Sequence, residues 1–210
     1  MITLYYIHDP MCSWCWGYRP IWDALQRALP NVVDVVYVAG GLASDSNEAM
    51  PKAQQQMIQQ HWRTIESKLG TRFNFNFWQE NTPRRSTFNA CRAAIAADKQ
   101  GYQAQMVDAI QQAYYLRALN PSDVEVLITL AKELNDNSAD FNLAAFINSI
   151  NSEDVEQELQ KQISLARALS QQGFPSLVLE VNGKRQEIPV NYTDHHITLD
   201  LIQEIINGNS

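Results

Sequence analysis

The chain has 210 residues, 45% of them hydrophobic and 19% charged, the composition of a globular protein large enough to bury a core without staples. Lys and Arg number 16 against 23 Asp and Glu, a formal charge of −7, which argues against non-specific binding to a nucleic-acid backbone. No stretch approaches the ~20 apolar residues of a membrane span, so no transmembrane helix is expected.

Met1 runs straight into Ile2–Ile7, with no basic segment and no long apolar segment ahead of it. No signal peptide is therefore expected, and the reading is cytoplasmic. Ile2–Ile7 is rich in β-branched and aromatic residues and reads as a strand. His8-Asp9-Pro10-Met11 breaks it, and a helix follows from about Cys12 to Leu29 with Ile21, Trp22, Leu25 and Leu29 on one face. Val32–Ala39 is a nearly continuous apolar run, which predicts a second strand buried on both faces. Strand, helix and strand in some 40 residues make a βαβ unit with a parallel pair.

The pattern then turns helical. Helices are expected over Pro51–Leu69, Ser86–Gln100 and Gln103–Ala118. Another opens at Ser122-Asp123-Val124-Glu125, which reads as a capping box. A further helix covers Ala139–Ile150, and one more is capped by Ser152 and ends before Gly173. Strands return at Ser176–Val181 and Lys184–Ile188, joined by the hairpin signal Asn182-Gly183. A last helix spans about Thr198–Asn207. With the helical block removed, an α/β thioredoxin-like core remains, so the fold class is a thioredoxin-like fold with a large all-helical insertion. The expected division is 1–42 plus 165–210 for the discontinuous core and 43–164 for the inserted domain.

Cys12-Ser13-Trp14-Cys15 lies where the first strand hands over to the first helix. Two sulfurs three residues apart at a helix start can close a small disulfide. The first faces the positive end of the helix and its unpaired N–H groups, which favour thiolate. The second lies deeper and can resolve a mixed disulfide. Cys12 is the expected nucleophile and Cys15 the resolving thiol. The same pattern serves zinc sites, but a structural site needs a second ligand pair. Cys91 has no nearby cysteine or histidine, and adjacent His195 and His196 diverge on a helix, so no metal is expected. Phe88, Cys91 and Ile95 share a helix face, which makes Cys91 a small core residue.

Phe174-Pro175-Ser176 stands just before a strand, at the place of the cis-proline loop of a thioredoxin core. Pro175 has no N–H, and the Phe174 backbone would stay free to pair with an extended substrate. Ser13, Trp14, Phe174 and Pro175 are the candidate substrate-binding residues, with Trp14 and Trp16 as an apolar rim. His8 precedes Cys12 by four residues and reads as incidental. Asp9 is expected to shape the turn, and Arg84-Arg85 to be solvated charge at a helix start. Trp78, Tyr114 and Tyr115 read as core or interdomain packing.

Asp9-Pro10-Met11-Cys12-Ser13-Trp14-Cys15-Trp16-Gly17 resembles the start of the DsbA-like thiol–disulfide oxidoreductases, especially their cytosolic FrnE-like branch. Ala109–Tyr115 resembles that family's inserted-helix pattern, and Gly173-Phe174-Pro175-Ser176 its turn. The resemblance implies redox chemistry at Cys12 on disulfides of proteins or low-molecular-weight thiols. It implies no bound cofactor beyond the Cys12–Cys15 disulfide, with glutathione as the electron donor. The periplasmic member carries Pro-His between its cysteines. Ser13-Trp14 lacks that histidine, which implies a weaker oxidant. Two other readings share the architecture: a glutathione-dependent isomerase or kappa-class-like glutathione transferase using the same site, and a non-catalytic peptide-binding module.

Overall fold

A computed structural model describes residues 1–170 and 172–208. The core opens with β1 (Ile2–His8), α1 (Ser13–Ala28) and β2 (Val33–Ala39) and closes with β3 (Ser176–Val181), β4 (Lys184–Ile188) and α9 (His195–Gly208). Between them run α2 (Lys52–Leu69), α3 (Phe77–Glu80), α4 (Phe88–Asp98), α5 (Gln103–Tyr115), α6 (Val124–Asn137), α7 (Leu143–Ile150) and α8 (Glu153–Leu169). The sheet order is β2-β1-β3-β4; β1 and β2 are parallel, and β3 and β4 join antiparallel. This is the thioredoxin-like fold with its helical insertion.

Alternation along β1 decides what each face of the sheet meets. Leu4 and Tyr6 point with Leu177 and Leu179 toward α1 and α9, packing on Tyr18, Trp22, Leu25 and Ile202. Ile7, Val38 and Val178 point the other way, onto Ala166 and Leu169 of α8. The largest apolar cluster lies in the helical block, where Trp62 is fully buried among Phe73, Phe77, Trp78, Tyr114 and Tyr115. Truncating an aromatic side chain at such a position costs about 3–5 kcal/mol. Met11 and Ala39 belong to this cluster too, so the βα turn and the end of β2 are packed into the insertion. Its helix α8 faces both sides, with Leu159 and Ile163 in the helical cluster and Ala166 and Leu169 against the sheet.

Several local expectations shift. β2 is an edge strand, and only Val38 and Ala39 at its end are covered on both sides; Val36 is open to solvent because α8 does not reach it. Ser122 is not a helix cap: its hydroxyl donates to Ser86 O at 2.7 Å, Asp123 takes the N-cap position of α6, and no side chain caps it. α7 starts at Leu143 rather than 139 because Asn142 is its cap, its side chain accepting from Ala145 N at 3.0 Å. The last helix starts earlier than Thr198, at His195, after a turn in which Asn191 accepts from the N–H groups of Thr193 and Asp194. The short α3 has too few residues for a helical period to register. Ser152 caps α8 through Val155 N, and the hairpin turns at Asn182 and Gly183, both at positive φ.

Candidate active site

Cys12 is the N-cap residue of α1, with extended backbone (φ −82°, ψ 119°). Its N–H donates to Asp9 O at 3.0 Å, which closes the turn out of β1, and its carbonyl receives Trp16 N at 3.1 Å, which starts the helix. The sulfur therefore sits at the positive end of a helix of 16 residues. Cys12 is 8% exposed and Cys15 is 0%, and of the two only Cys12 lines the groove beside the motif. Both are free thiols, as is Cys91.

The two sulfurs differ in acidity. Hydrogen bonding from the Cys15 thiol, helped by the N–H groups of Cys15 and Trp14, pulls Cys12 below the ordinary thiol range, against burial and the Asp9 charge. Burial, together with the Cys12 sulfur, pushes Cys15 well above it. The motif thus holds one thiol inclined to ionise and one inclined to keep its proton.

Opposite Cys12 stands the loop before β3. The Phe174–Pro175 peptide is cis. The Cys12 thiol lies 3.5 Å from Phe174 O, while Phe174 N–H makes no hydrogen bond among the described residues. The Phe174 ring lies over Gly40, where a Cβ would come within 2.0 Å of it. Any side chain at residue 40 therefore displaces this ring. Pro175, Phe174 and Trp14 line a shallow cleft of about 540 Å³ beside the motif, closed by Tyr192, whose ring meets Trp14 edge-on at 5.4 Å.

On the other side of Cys12 a groove of about 390 Å³ runs toward the insertion. Ser13, Trp14 and Phe174 border it near the sulfur. Its far wall comes from α2 and α5, with Met57, Ile58 and Tyr114, and from the segment before α4, with Arg84 and Arg85. All six proposed site residues thus gather around one sulfur. The insertion's contribution lies far along the chain and carries no signature. Arg84 and Arg85, expected to be simple solvated charges, are half-buried in this wall. Trp16 is not part of the rim: it stacks on Tyr115 at 5.6 Å and its indole donates to Arg72 O at 3.1 Å.

Asp9 lies beneath the turn and is fully buried. Its carboxylate accepts from Met11 N at 2.8 Å, Leu42 N at 2.7 Å, Thr87 Oγ1 at 2.7 Å and Cys91 Sγ at 3.5 Å. Burial raises its pKa and these donors oppose the rise. Cys91 is a buried core thiol whose own pKa is pushed well up by burial. His8 is buried and neutral, its pKa pushed down to about 3 by burial, so it brings no positive charge to Cys12. At the start of α9, donor atoms of Asp194, His195 and His196 come within 4.8 Å of one another, without a cysteine among them.

The family described as the DSBA-like thioredoxin domain matches the chain over residues 2–194. A Nitrosomonas europaea protein, solved as a candidate protein disulfide isomerase, superposes with a TM-score of 0.84 at 24% identity, covering 100% of this chain and 99% of its own. The cytosolic disulfide reductase DsbM from Pseudomonas aeruginosa superposes at 0.77 and 23%, over 98% of this chain and 97% of its own, and was also solved with GSH. The ClpXP adapter protein SpxH of Halalkalibacterium halodurans is 22% identical over 214 residues, which is 98% of this chain and 68% of that protein.

Proposed function

Because the chain belongs to the DSBA-like thioredoxin domain family, we propose that it is a thiol–disulfide oxidoreductase in which Cys12 attacks and Cys15 resolves. The observation that carries this reading is the split between the two sulfurs. The one inclined to ionise is at the helix N-cap and open to the groove, and the one inclined to stay protonated lies beneath it. The Cys12 thiolate displaces one sulfur of a substrate disulfide, forming a mixed disulfide and releasing a substrate thiolate. Cys12 then no longer carries the charge that opposes ionisation of Cys15. Cys15 loses its proton and attacks Cys12, releasing the second substrate thiol and leaving a Cys12–Cys15 disulfide. Two electrons have passed to the substrate. Two equivalents of a low-molecular-weight thiol restore the pair, and glutathione is the donor in this reading.

Ser13, Trp14, Phe174 and Pro175 hold the substrate chain, with Phe174 N–H and C=O available to an extended segment. The core is 1–42 with 165–210 and the inserted domain 43–164, supported by the separate apolar clusters on the two sides. The protein works in the cytoplasm. This is supported by its similarity to a cytosolic reductase, while no helix of the described residues is long and apolar enough to cross a membrane. A conjugating transferase or a peptide-binding module has no use for a second sulfur, and the buried Cys15 therefore favours redox turnover over both.

The test is a pair of variants assayed on a disulfide-bonded peptide. Cys12→Ser loses turnover, and Cys15→Ser accumulates a mixed disulfide between Cys12 and the peptide, read by mass spectrometry. Turnover by Cys12→Ser at the wild-type rate overturns the reading.

A further inference from the structure

The chain carries a net charge of −7, yet the groove beside Cys12 has the opposite character. Arg84, Arg85 and His61 line it, and among the described residues no Asp or Glu does. Two acidic groups close to this wall are already engaged. Asp123 pairs with Arg84, and Asp9 lies behind Thr87, held by four donors. His61 is exposed at the mouth. Arg85 is different. The residue is half-buried, its guanidinium makes no ion pair and no hydrogen bond among the described residues, and it sits close enough to Tyr114 for its charge to act on the buried phenol. A guanidinium offers five donors in a planar fork matched to a carboxylate. With none of these donors used among the described residues, it is a site waiting for an acceptor.

We propose that Arg85 is the specificity-determining cation of this groove. It takes a carboxylate of the substrate while that substrate is joined to Cys12, so that anionic peptide thiols and disulfides are preferred over cationic ones. The inference rests on the oxidoreductase reading and adds the class of substrate to it. Met57, Ile58 and Trp14 along the same groove accept the apolar part of such a peptide, and the arginine accepts its charge. The volume of about 390 Å³ holds a short segment on this side of the reacting sulfur. Arg84 has the same charge but is committed to Asp123, so the two neighbouring arginines have separate tasks: one fixes the wall to the start of α6, and the other faces the groove.

The experiment uses three disulfide-linked peptides of equal length whose cysteines are flanked by Glu, Ser or Lys, together with glutathione disulfide. Each is assayed at low and at high salt with the wild type, Arg85→Gln and Arg85→Lys. A charge-assisted contact of this kind predicts a wild-type kcat/KM about tenfold higher for the Glu peptide than for the Lys peptide at low salt, carried mainly by KM. The preference narrows at high salt. In Arg85→Gln the Glu-to-Lys ratio falls to near one, and Arg85→Lys recovers part of it. A response of glutathione disulfide parallel to the Glu peptide assigns the site to small anionic thiols as well. Equal rates for Glu and Lys peptides in the wild type, or an unchanged ratio in Arg85→Gln, overturn the proposal while leaving redox turnover standing. Absence of turnover of every disulfide by the wild type overturns the oxidoreductase reading, and this one with it.

Discussion

The Thr87 hydroxyl donates to the Asp9 carboxylate across 2.7 Å, and both side chains are sealed from solvent. One residue belongs to the turn that presents Cys12, and the other is the N-cap of α4 in the insertion. Thr87 does not cap its own helix with that hydroxyl; the oxygen instead accepts from Ala43 N at 3.1 Å while its hydrogen serves Asp9. The helical block is thereby tied to the floor of the candidate site through a buried polar contact as well as through apolar packing.

Thr87→Val keeps the shape of the side chain and removes the donor. It leaves one Asp9 oxygen short of a partner and Ala43 N–H without its acceptor, so a stability loss of about 1–3 kcal/mol is expected, with Thr87→Ser close to wild type. Urea unfolding measures this. Asp9→Asn adds an amide donor among donors and should destabilise as well. By removing the charge that opposes the Cys12 thiolate, it should also shift the alkylation profile of Cys12 to lower pH. Wild-type stability in Thr87→Val, or an unmoved Cys12 profile in Asp9→Asn, would show that the contact is incidental.

Most of the core was legible because it is local. Strand periodicity, the break at Pro10, the Asn182-Gly183 turn and the helix start at Cys12 each depend on a few neighbouring residues. What lay hidden depends on encounters across the insertion. Nothing near Arg85 tells that Asp123 engages Arg84 and spares its neighbour. Ser122 reads as a cap until Ser86 comes within 2.7 Å of it. An apolar run such as Val32–Ala39 does not say whether a helix will cover its second face, and here α8 covers only its end.

His8 supplies a pH dependence. It is 1% exposed, stacked on Tyr6 with ring centroids 5.0 Å apart, and neither ring nitrogen has a hydrogen-bond partner among the described residues. Its folded pKa of about 3 lies below the unfolded 6.5. A histidine depressed in this way contributes stability that is present above pH 6.5 and is lost as pH falls toward 3, because the unfolded chain takes up the proton first. The total is at most about 5 kcal/mol, at up to ~1.4 kcal/mol per pH unit. His8→Phe keeps a ring in the stack and cannot be protonated, so its unfolding free energy should decline less steeply between pH 6.5 and 4.5. Parallel acid limbs for wild type and variant, followed by urea unfolding at each pH, would exclude His8 as the titrating group.

The poise of the Cys12–Cys15 couple follows from what surrounds Cys12. Its thiolate is favoured by the Cys15 thiol and by the N–H groups of Cys15 and Trp14, and opposed by burial and Asp9. Among the described residues no cation is one of the main influences on this sulfur: His8 is neutral, and Arg19 is engaged by Asp23, Asp108 and Gln111. Stabilising the thiolate stabilises the reduced form, and a strongly oxidising couple needs much of that stabilisation. With helix and hydrogen bonds alone, a potential of roughly −200 to −270 mV is expected, below the ~−120 mV of DsbA. Such a couple stays largely reduced in a thiol-rich cytosol and drives reduction or isomerisation of substrate disulfides. Trp14→His places a group that can carry positive charge between the two cysteines, so the Cys12 pKa should fall and the potential rise. Equilibration with glutathione buffers, read by gel shift of alkylated thiols, gives both values without relying on the indole that the substitution removes. A wild-type potential above about −130 mV, with no rise in Trp14→His, would mean that some group other than a neighbouring cation sets the acidity of Cys12.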